Sequence, residues 1–459
     1  MRRPNVIVIL ADDMGYGDFG VFSDGTPQTP HLDRLANEGL SLTHHYSAAP
    51  VCAPARACLL TGRYPHRTGA IDTFEGRGLD RLALRERTLA DAFRAAGYAT
   101  GLMGKWHLGA IDPRYHPNRR GFDTFLGFRG GWSDYWQWNL DHNGQRLPAD
   151  GRYLTDVFAD AAVAFIREHR AAPFFLHLAF NAPHFPFQAP EEDLRRFSDR
   201  GLTRGVATLY AMVHRMDAGI GRVLEELDRL GLRDDTLVLF TSDNGPQLGG
   251  QGEMNLERFN AWLRGSKGNV FEGGIRVPAI MRWPGGLPGG GARSHQSVHF
   301  ADWLPTLLAA AGLQPEHDRE LDGENVLAVL RGEERGSVPP RFWQWNRYAP
   351  EVTCNAAVRA GDWKLVRPVI REAMRVEPED GEMDRRLKYE PGAFSDIRRA
   401  PFPPRELPPP PAPLLFNLDQ DPYEKQDLAA VEPARAAALL RQLETWFEAV
   451  EAERLAIRD

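Results

Sequence analysis

The sequence predicts an α/β fold: a large mixed, mostly parallel sheet flanked by helices, followed by a smaller C-terminal antiparallel sheet and a closing helix. Three observations carry this. Residues 6–10 are a continuous apolar, β-branched run, the pattern of a strand buried on both faces of a parallel sheet, and 174–180 and 236–241, mostly apolar, read as further strands. Stretches with helical periodicity, 153–169 and 207–230, lie between them. Past about residue 335 the texture changes to short segments broken by a charged and a proline-rich stretch. At 459 residues the chain is long for one compact core, so 1–335 reads as a large domain and 336–459 as a smaller one.

Composition narrows the function classes. The chain is 42% hydrophobic and 25% charged, as in ordinary globular proteins. A net charge of −7 gives no support for nucleic-acid binding or a polybasic membrane contact. No apolar run approaches the roughly 20 residues of a membrane span. Three cysteines, Cys52, Cys58 and Cys354, do not make a disulfide framework. Nothing in the sequence fixes an oligomeric state.

Taken in order, the first strand, 6–10, delivers Asp12 and Asp13 to its carboxyl end, where ligands collect in open α/β sheets. Its apolar run is too short for the core of an export signal, so a cytoplasmic location is expected unless a leader has been removed. Residues 15–18 read as a loop, and 31–39 as a helix ending in glycine. In the stretch VCAPARACLLTGR, residues 55–61 read as a short helix stopped by Gly62. Cys52 falls at or just before its start, where unpaired N–H groups favour an anion, and Arg56 lies four residues on along the same face. Cys58 reads as a packed apolar thiol.

Residues 88–97 predict a helix and 98–103 a strand leading into Gly104-Lys105-Trp106-His107-Leu108-Gly109. In an extended segment Lys105 and His107, two apart, face the same way. The aromatic cluster at 131–138, with Trp132 and Tyr135, either packs a loop onto the core or walls a cleft. The strand at 174–180 is followed by His184, held between Pro183 and Pro186, and the strand at 236–241 by Asp243 and Asn244. Asp12, Asp13, Asp243 and Asn244 form an all-oxygen set that suits Ca²⁺ or Mg²⁺ rather than Zn²⁺. Residues 278–283 read as a further strand. Then 342–345 and 357–366 read as strands of the small sheet, 372–399 as a polar insert, 401–413 as an extended arm and 433–457 as the last helix.

The Cys52-x-Pro54-x-Arg56 pattern, Thr61-Gly62-Arg63 and the unbroken Gly104–Gly109 segment together resemble the formylglycine-dependent sulfatases of the alkaline phosphatase superfamily. The resemblance covers nearly the whole chain and is strongest over 5–280. It implies an alkaline phosphatase-like fold and a cysteine, Cys52, oxidised by a formylglycine-generating maturation enzyme. One hydroxyl of the hydrated aldehyde attacks sulfur and the other later expels sulfate. It further implies that Arg56, Lys105 and Lys267 offset the ester's charge, that His107 orients or deprotonates a diol hydroxyl and that His184 assists the leaving oxygen. Ser133 would touch the sulfate; Trp132 and Tyr135 are candidate substrate contacts from the aromatic pattern itself, should that cluster wall a cleft. Asp12, Asp13, Asp243 and Asn244 would hold the metal, calcium in most of the family. The reaction implied is hydrolysis of a sulfate monoester, of a carbohydrate or an aryl alcohol. A phosphodiester or phosphonate monoester hydrolase on the same site is the alternative, and a non-catalytic sulfated-glycan binding protein a third reading.

Overall fold

Residues Asn5–Ala11 form strand β1 at the middle of a ten-stranded sheet, and every one of them is buried. In the computed structural model, residues 3–315, 319–333, 339–390 and 392–459 are described. After β1 come β2 (Leu40–Tyr46), β3 (Ala99–Lys105), β4 (Thr124–Phe128), β5 (Asn139–His142), β6 (Gln145–Pro148), β7 (Phe174–Ala179), β8 (Thr236–Ser242), β9 (Ala279–Arg282) and β10 (Ala292–His299). Their spatial order is β10-β2-β9-β8-β1-β7-β3-β4-β5-β6. The central neighbours β8, β1, β7, β3 and β4 are parallel, whereas β9 and β5 run antiparallel to theirs. The expected mixed, mostly parallel sheet is therefore the architecture found.

Alternation along β1 explains its unbroken apolar character. Ile7, Ile9 and Ala11 face a core shared with the Leu154–His169 and Arg204–Arg229 helices. Val6, Val8 and Leu10 face the opposite core, with the Cys52–Thr61, Leu89–Ala95 and Trp303–Ala310 helices. The outer strands β2, β4, β5, β6 and β10 were not predicted, because sequences such as LSLTHHY and ARSHQSVH carry polar residues that break an apolar run.

A second sheet comprises β11 (Arg341–Gln344), β12 (Ala356–Ala360), β13 (Trp363–Arg367) and β14 (Leu414–Asn417), all antiparallel. One face packs on the terminal helix, Pro433–Leu455, through Leu439, Leu443 and Trp446; the other meets Tyr46, Val270 and Ile275 of the larger body. Lys364 of β13, fully buried, bonds Glu272 at 2.8 Å and Glu424 at 2.9 Å, an ion pair that ties the small sheet to the segment following Lys267. The expected domain boundary at 335/336 lies outside the described residues. The stretch 372–399, expected to be only a polar insert, contains a helix, Pro378–Tyr389. Residues 401–413 form neither helix nor strand, as an extended arm should.

The Pro30–Glu38 helix has no side-chain cap of its own. Asp217, from the middle of the Arg204–Arg229 helix, accepts the backbone N–H groups of His31 at 3.1 Å and Leu32 at 2.8 Å instead. Replacing Asp217 by alanine leaves two donors of that helix unpaired, and should lower stability by about 1–3 kcal/mol in a denaturant titration.

Candidate active site

The adjacency of β8, β1, β7 and β3 places four strand ends side by side, and each delivers part of one site. Ala11 is in register with Ser242, so Asp12 and Asp243 emerge next to each other. Asp13 then turns left-handed (φ 66°), and its N–H donates to Asp243 Oδ1 at 3.2 Å. Asn244 Nδ2 donates to Asp13 Oδ1 at 2.7 Å. From the end of β3, Lys105 Nζ bonds both Asp12 oxygens at 3.0 and 2.8 Å. Past β7, His184 Nε2 lies 3.7 Å from Asp13 Oδ2, while its Nδ1 bonds Phe185 O at 2.8 Å.

The Cys52–Thr61 helix inserts beneath these ends with all ten residues buried. Its N-cap, Val51, is extended, and Gly62 closes it in a left-handed conformation (φ 69°), as its position after Thr61 predicted. Cys52 is the first helical residue, and its Sγ lies 3.4 Å from Asp12 Oδ1. One turn on, Arg56 reaches Asp243 Oδ2 through Nε at 2.9 Å and Nη2 at 2.8 Å, with Nη2 also 3.5 Å from Asp12 Oδ1. Lys267 Nζ bonds Asp13 Oδ2 at 2.6 Å.

Three buried carboxylates thus face three cations. Burial, countered by Lys105 but reinforced by Asp243, pushes the Asp12 carboxyl up to about 7. Burial acts the same way on Asp13, but the Lys267 ammonium, bonded to it, overrides burial and holds that carboxyl below the usual range. Burial raises the Cys52 thiol despite Lys105 and Lys267, so an unmodified thiol here is a poor source of thiolate. The donor chemistry fits a hard divalent cation. Three carboxylates converge, and Asn244 Oδ1 is buried without a hydrogen-bond partner. Ligand atoms of Asp12, Asp13, Cys52 and His184 all lie within 4.8 Å of one another.

Lys105 and His107 reach the site differently from the expectation. The chain is not extended there: Gly104 has φ 121° and His107 φ 55°. A side chain at Gly104 would start 1.8 Å from the Ala179 carbonyl oxygen, so β3 can approach β7 this closely only with glycine. His107 Nε2 bonds Thr73 O at 3.2 Å, leaving Nδ1 buried and unpartnered. Burial and the neighbouring Lys105 and Lys388 hold its imidazole neutral, and burial with Lys267 does the same for His184.

Above Cys52 opens a cavity of about 410 Å³ whose walls include His107, His184, Lys267 and Trp132. Lys105 and Arg56 lie beneath it, at 0% and 1% exposure. Ser133 faces a neighbouring cavity, and among the described residues its hydroxyl bonds only Asp134 O at 3.3 Å. Tyr135 is fully buried, its single hydroxyl proton shared between Asn181 O at 2.7 Å and His184 O at 2.9 Å; it braces the His184 loop and does not reach the cavity. Four charged lining residues escaped sequence reasoning: Glu75, Arg347, Asp384 and Lys388. Asp384 and Lys388 belong to the helix inside the supposed insert, where only their spacing of one helical turn hinted that they share a face.

Comparison with known proteins agrees with this geometry. The family model described as Sulfatase matches residues 4–313. Steryl-sulfatase of Mus musculus is 33% identical over 93% of this chain and 78% of its own length. N-acetylgalactosamine-6-sulfatase of Homo sapiens is 37% identical over 72% of this chain and 66% of its own length. The crystal structure of Ps i-CgsB in complex with k-i-k-neocarrahexaose superposes with a TM-score of 0.80 at 31% identity, covering 97% of this chain and 93% of that one. These relatives also correct the expected cytoplasmic location: steryl-sulfatase and N-acetylgalactosamine-6-sulfatase are enzymes of the ER lumen or lysosome. The apolar run on which that expectation rested is the central strand of the sheet and carries no information on compartment. The fold, the motif-bearing strand ends and these matches together establish that the chain belongs to the sulfatase family, the sulfuric ester hydrolases.

Proposed function

We propose that this protein hydrolyses the sulfate monoester of an alcohol, for preference a carbohydrate, with residue 52 carried as formylglycine and Ca²⁺ or Mg²⁺ held by Asp12, Asp13, Asp243 and Asn244. The observation that carries this reading is the position of Cys52 at a helix start on the cavity floor, 3.4 Å from Asp12, with Lys105 and Arg56 below and Lys267 in the wall. Hydrated formylglycine supplies a hydroxyl nucleophile and a second hydroxyl for releasing sulfate, and the metal supplies a Lewis acid beside it.

The chain's own residues bind and move protons around that centre. Lys267 spends one of its three N–H donors on Asp13, which leaves donors for a sulfate oxygen. Lys105 and Arg56 counter the carboxylates beneath the nucleophile, so that an anionic ester meets little net repulsion. With Nε2–H donated to Thr73 O, His107 keeps Nδ1 as an acceptor for a hydroxyl proton. His184, its Nδ1–H given to Phe185 O, keeps Nε2 for the leaving oxygen. Burial and then Lys267 hold that ring neutral in the free protein, and a bound sulfate would offset the lysine and favour uptake of a proton by the ring. Overall, ester and water become alcohol, sulfate and a proton.

Aromatic walls favour a carbohydrate. Trp132 and Trp345 line the cavity, with Phe185 against Trp132 at 5.2 Å. Two relatives point the same way, one named for a sulfated N-acetylgalactosamine and one solved with a hexaose.

Three outcomes are expected. In active protein from the native host, the peptide carrying residue 52 should be about 18 Da lighter than the cysteine form, and Cys52→Ala should lower kcat on the order of 10⁴-fold or more. Wholly unmodified cysteine with intact activity would contradict the mechanism. Ca²⁺ at a hundred times its Kd should stabilise the protein by about 2.7 kcal/mol in thermal melts, and Asp13→Asn should remove most of that shift. An aryl sulfate should be turned over faster than the matching aryl phosphate diester; the reverse order would favour a phosphoesterase.

A further inference from the structure

A second cavity of about 280 Å³ adjoins the one above Cys52, and the two share Glu75, Trp132 and Lys388 as their common wall. The lining of the second cavity, outside that shared wall, includes two guanidinium groups, Arg129 and Arg146. Neither is well compensated. Arg129 Nε lies 3.7 Å from Asp141, beyond hydrogen-bond distance, and that carboxylate already accepts Gly144 N at 2.6 Å and bonds His116 Nε2 at 3.0 Å. Arg146 is exposed and donates through Nε and Nη2 to the neutral amide oxygen of Asn139 at 3.0 and 2.7 Å; among the described residues no carboxylate pairs with it. Lys388 and Glu75 neutralise each other in the shared wall. Two guanidinium groups against one carboxylate leave the cavity with one positive charge.

The wall between the cavities is aromatic as well as ionic. Trp132 sits between Phe185, ring centroids 5.2 Å apart, and Tyr389, 5.7 Å away edge-on. Phe185 and Tyr389 remain 36% and 49% exposed, so the ridge offers apolar faces to whatever crosses it. Ser133, next to Trp132, adds a hydroxyl to the second cavity. A molecule with its sulfate over Cys52 and a neighbouring unit lying on Trp132 would carry that unit's substituents to Arg129 and Arg146.

We propose that the second cavity is a subsite for an anionic group on the unit adjoining the sulfate-bearing one, so that the substrate class is an anionic oligosaccharide, with Arg129 and Arg146 as specificity-determining residues. A carboxylate and a second sulfate meet the same chemistry there. The inference rests on the sulfatase reading above, and the test separates the two.

Protein verified to carry formylglycine would be assayed on 4-nitrophenyl sulfate and on O-sulfated disaccharides with the sulfate at each ring position. The adjoining sugar would be neutral, a uronic acid or sulfated. For at least one position an anionic neighbour should raise kcat/KM about 10-fold or more over the neutral one, the worth of one charge-assisted hydrogen bond. The uronate and sulfate arms show which anion is preferred. Arg129→Gln and Arg146→Gln should each lower kcat/KM for the anionic disaccharide about 10-fold further than for 4-nitrophenyl sulfate, and about 0.5 M NaCl should shrink the advantage. Failure to hydrolyse 4-nitrophenyl sulfate and every disaccharide would overturn the sulfatase reading itself. Hydrolysis of 4-nitrophenyl sulfate with no disaccharide turned over, with neutral and anionic neighbours equivalent, or with the anionic advantage intact in both variants, would overturn the subsite alone.

Discussion

The parallel pairing of β1 with β8 is the constraint on which the rest depends. Their register brings Asp12, Asp13 and Asp243 together at almost zero exposure, an arrangement that costs several kcal/mol per charge unless each carboxylate is paired. Arg56, Lys105 and Lys267 supply the pairing, each from a different segment. The charge balance of the strand ends thus dictates what the neighbouring helix, strand and loop must bring. A divalent ion among the same oxygens would free those cations toward the cavity, which is how one cluster can serve both folding and an anionic substrate.

The smaller sheet and its insert complete the site without touching that cluster. Lys364 is locked between Glu272 and Glu424, which holds β13 against the segment just past Lys267. Trp345 and Arg347, following β11, and Asp384 and Lys388, from the Pro378–Tyr389 helix, then form one wall of the cavity. The large sheet fixes the reacting centre, and the C-terminal region shapes what can reach it. Residue 217 illustrates the same economy inside the large body: one buried carboxylate joins two helices by capping the first turn of its neighbour.

Much of this was legible in the sequence where the physics is local. The runs at 6–10, 174–180 and 236–241 are legible as central strands because burial on both faces selects mostly apolar side chains. The glycine after Thr61 stops a helix because the left-handed turn there favours it. Asp12, Asp13, Asp243, Asn244, Cys52, Arg56 and Lys105 are brought together because strand ends and one helix start deliver them, and Lys267 joins them from a glycine-rich loop. What was missed depends on long-range contacts. Edge strands such as β10 are polar because one face meets solvent, and Glu75, which accepts the Gly131 N–H and pairs with Lys388, sits in a loop with no local signature. Tyr135 reads from its neighbours as either packing a loop or walling a cleft, and only the fold decides, turning its ring inward to brace the backbone around His184. His107 could not be placed by strand periodicity because the backbone leaves extended geometry at Gly104 and again at His107 itself.

A crystal structure of the matured, calcium-loaded protein addresses the central claim most directly. It should place one ion bound by carboxylate oxygens of Asp12, Asp13 and Asp243 and by Asn244 Oδ1, next to a two-oxygen side chain at position 52, with Lys267 turned toward the cavity. An ion bound elsewhere, or those four side chains failing to share one ion beside position 52, would contradict it.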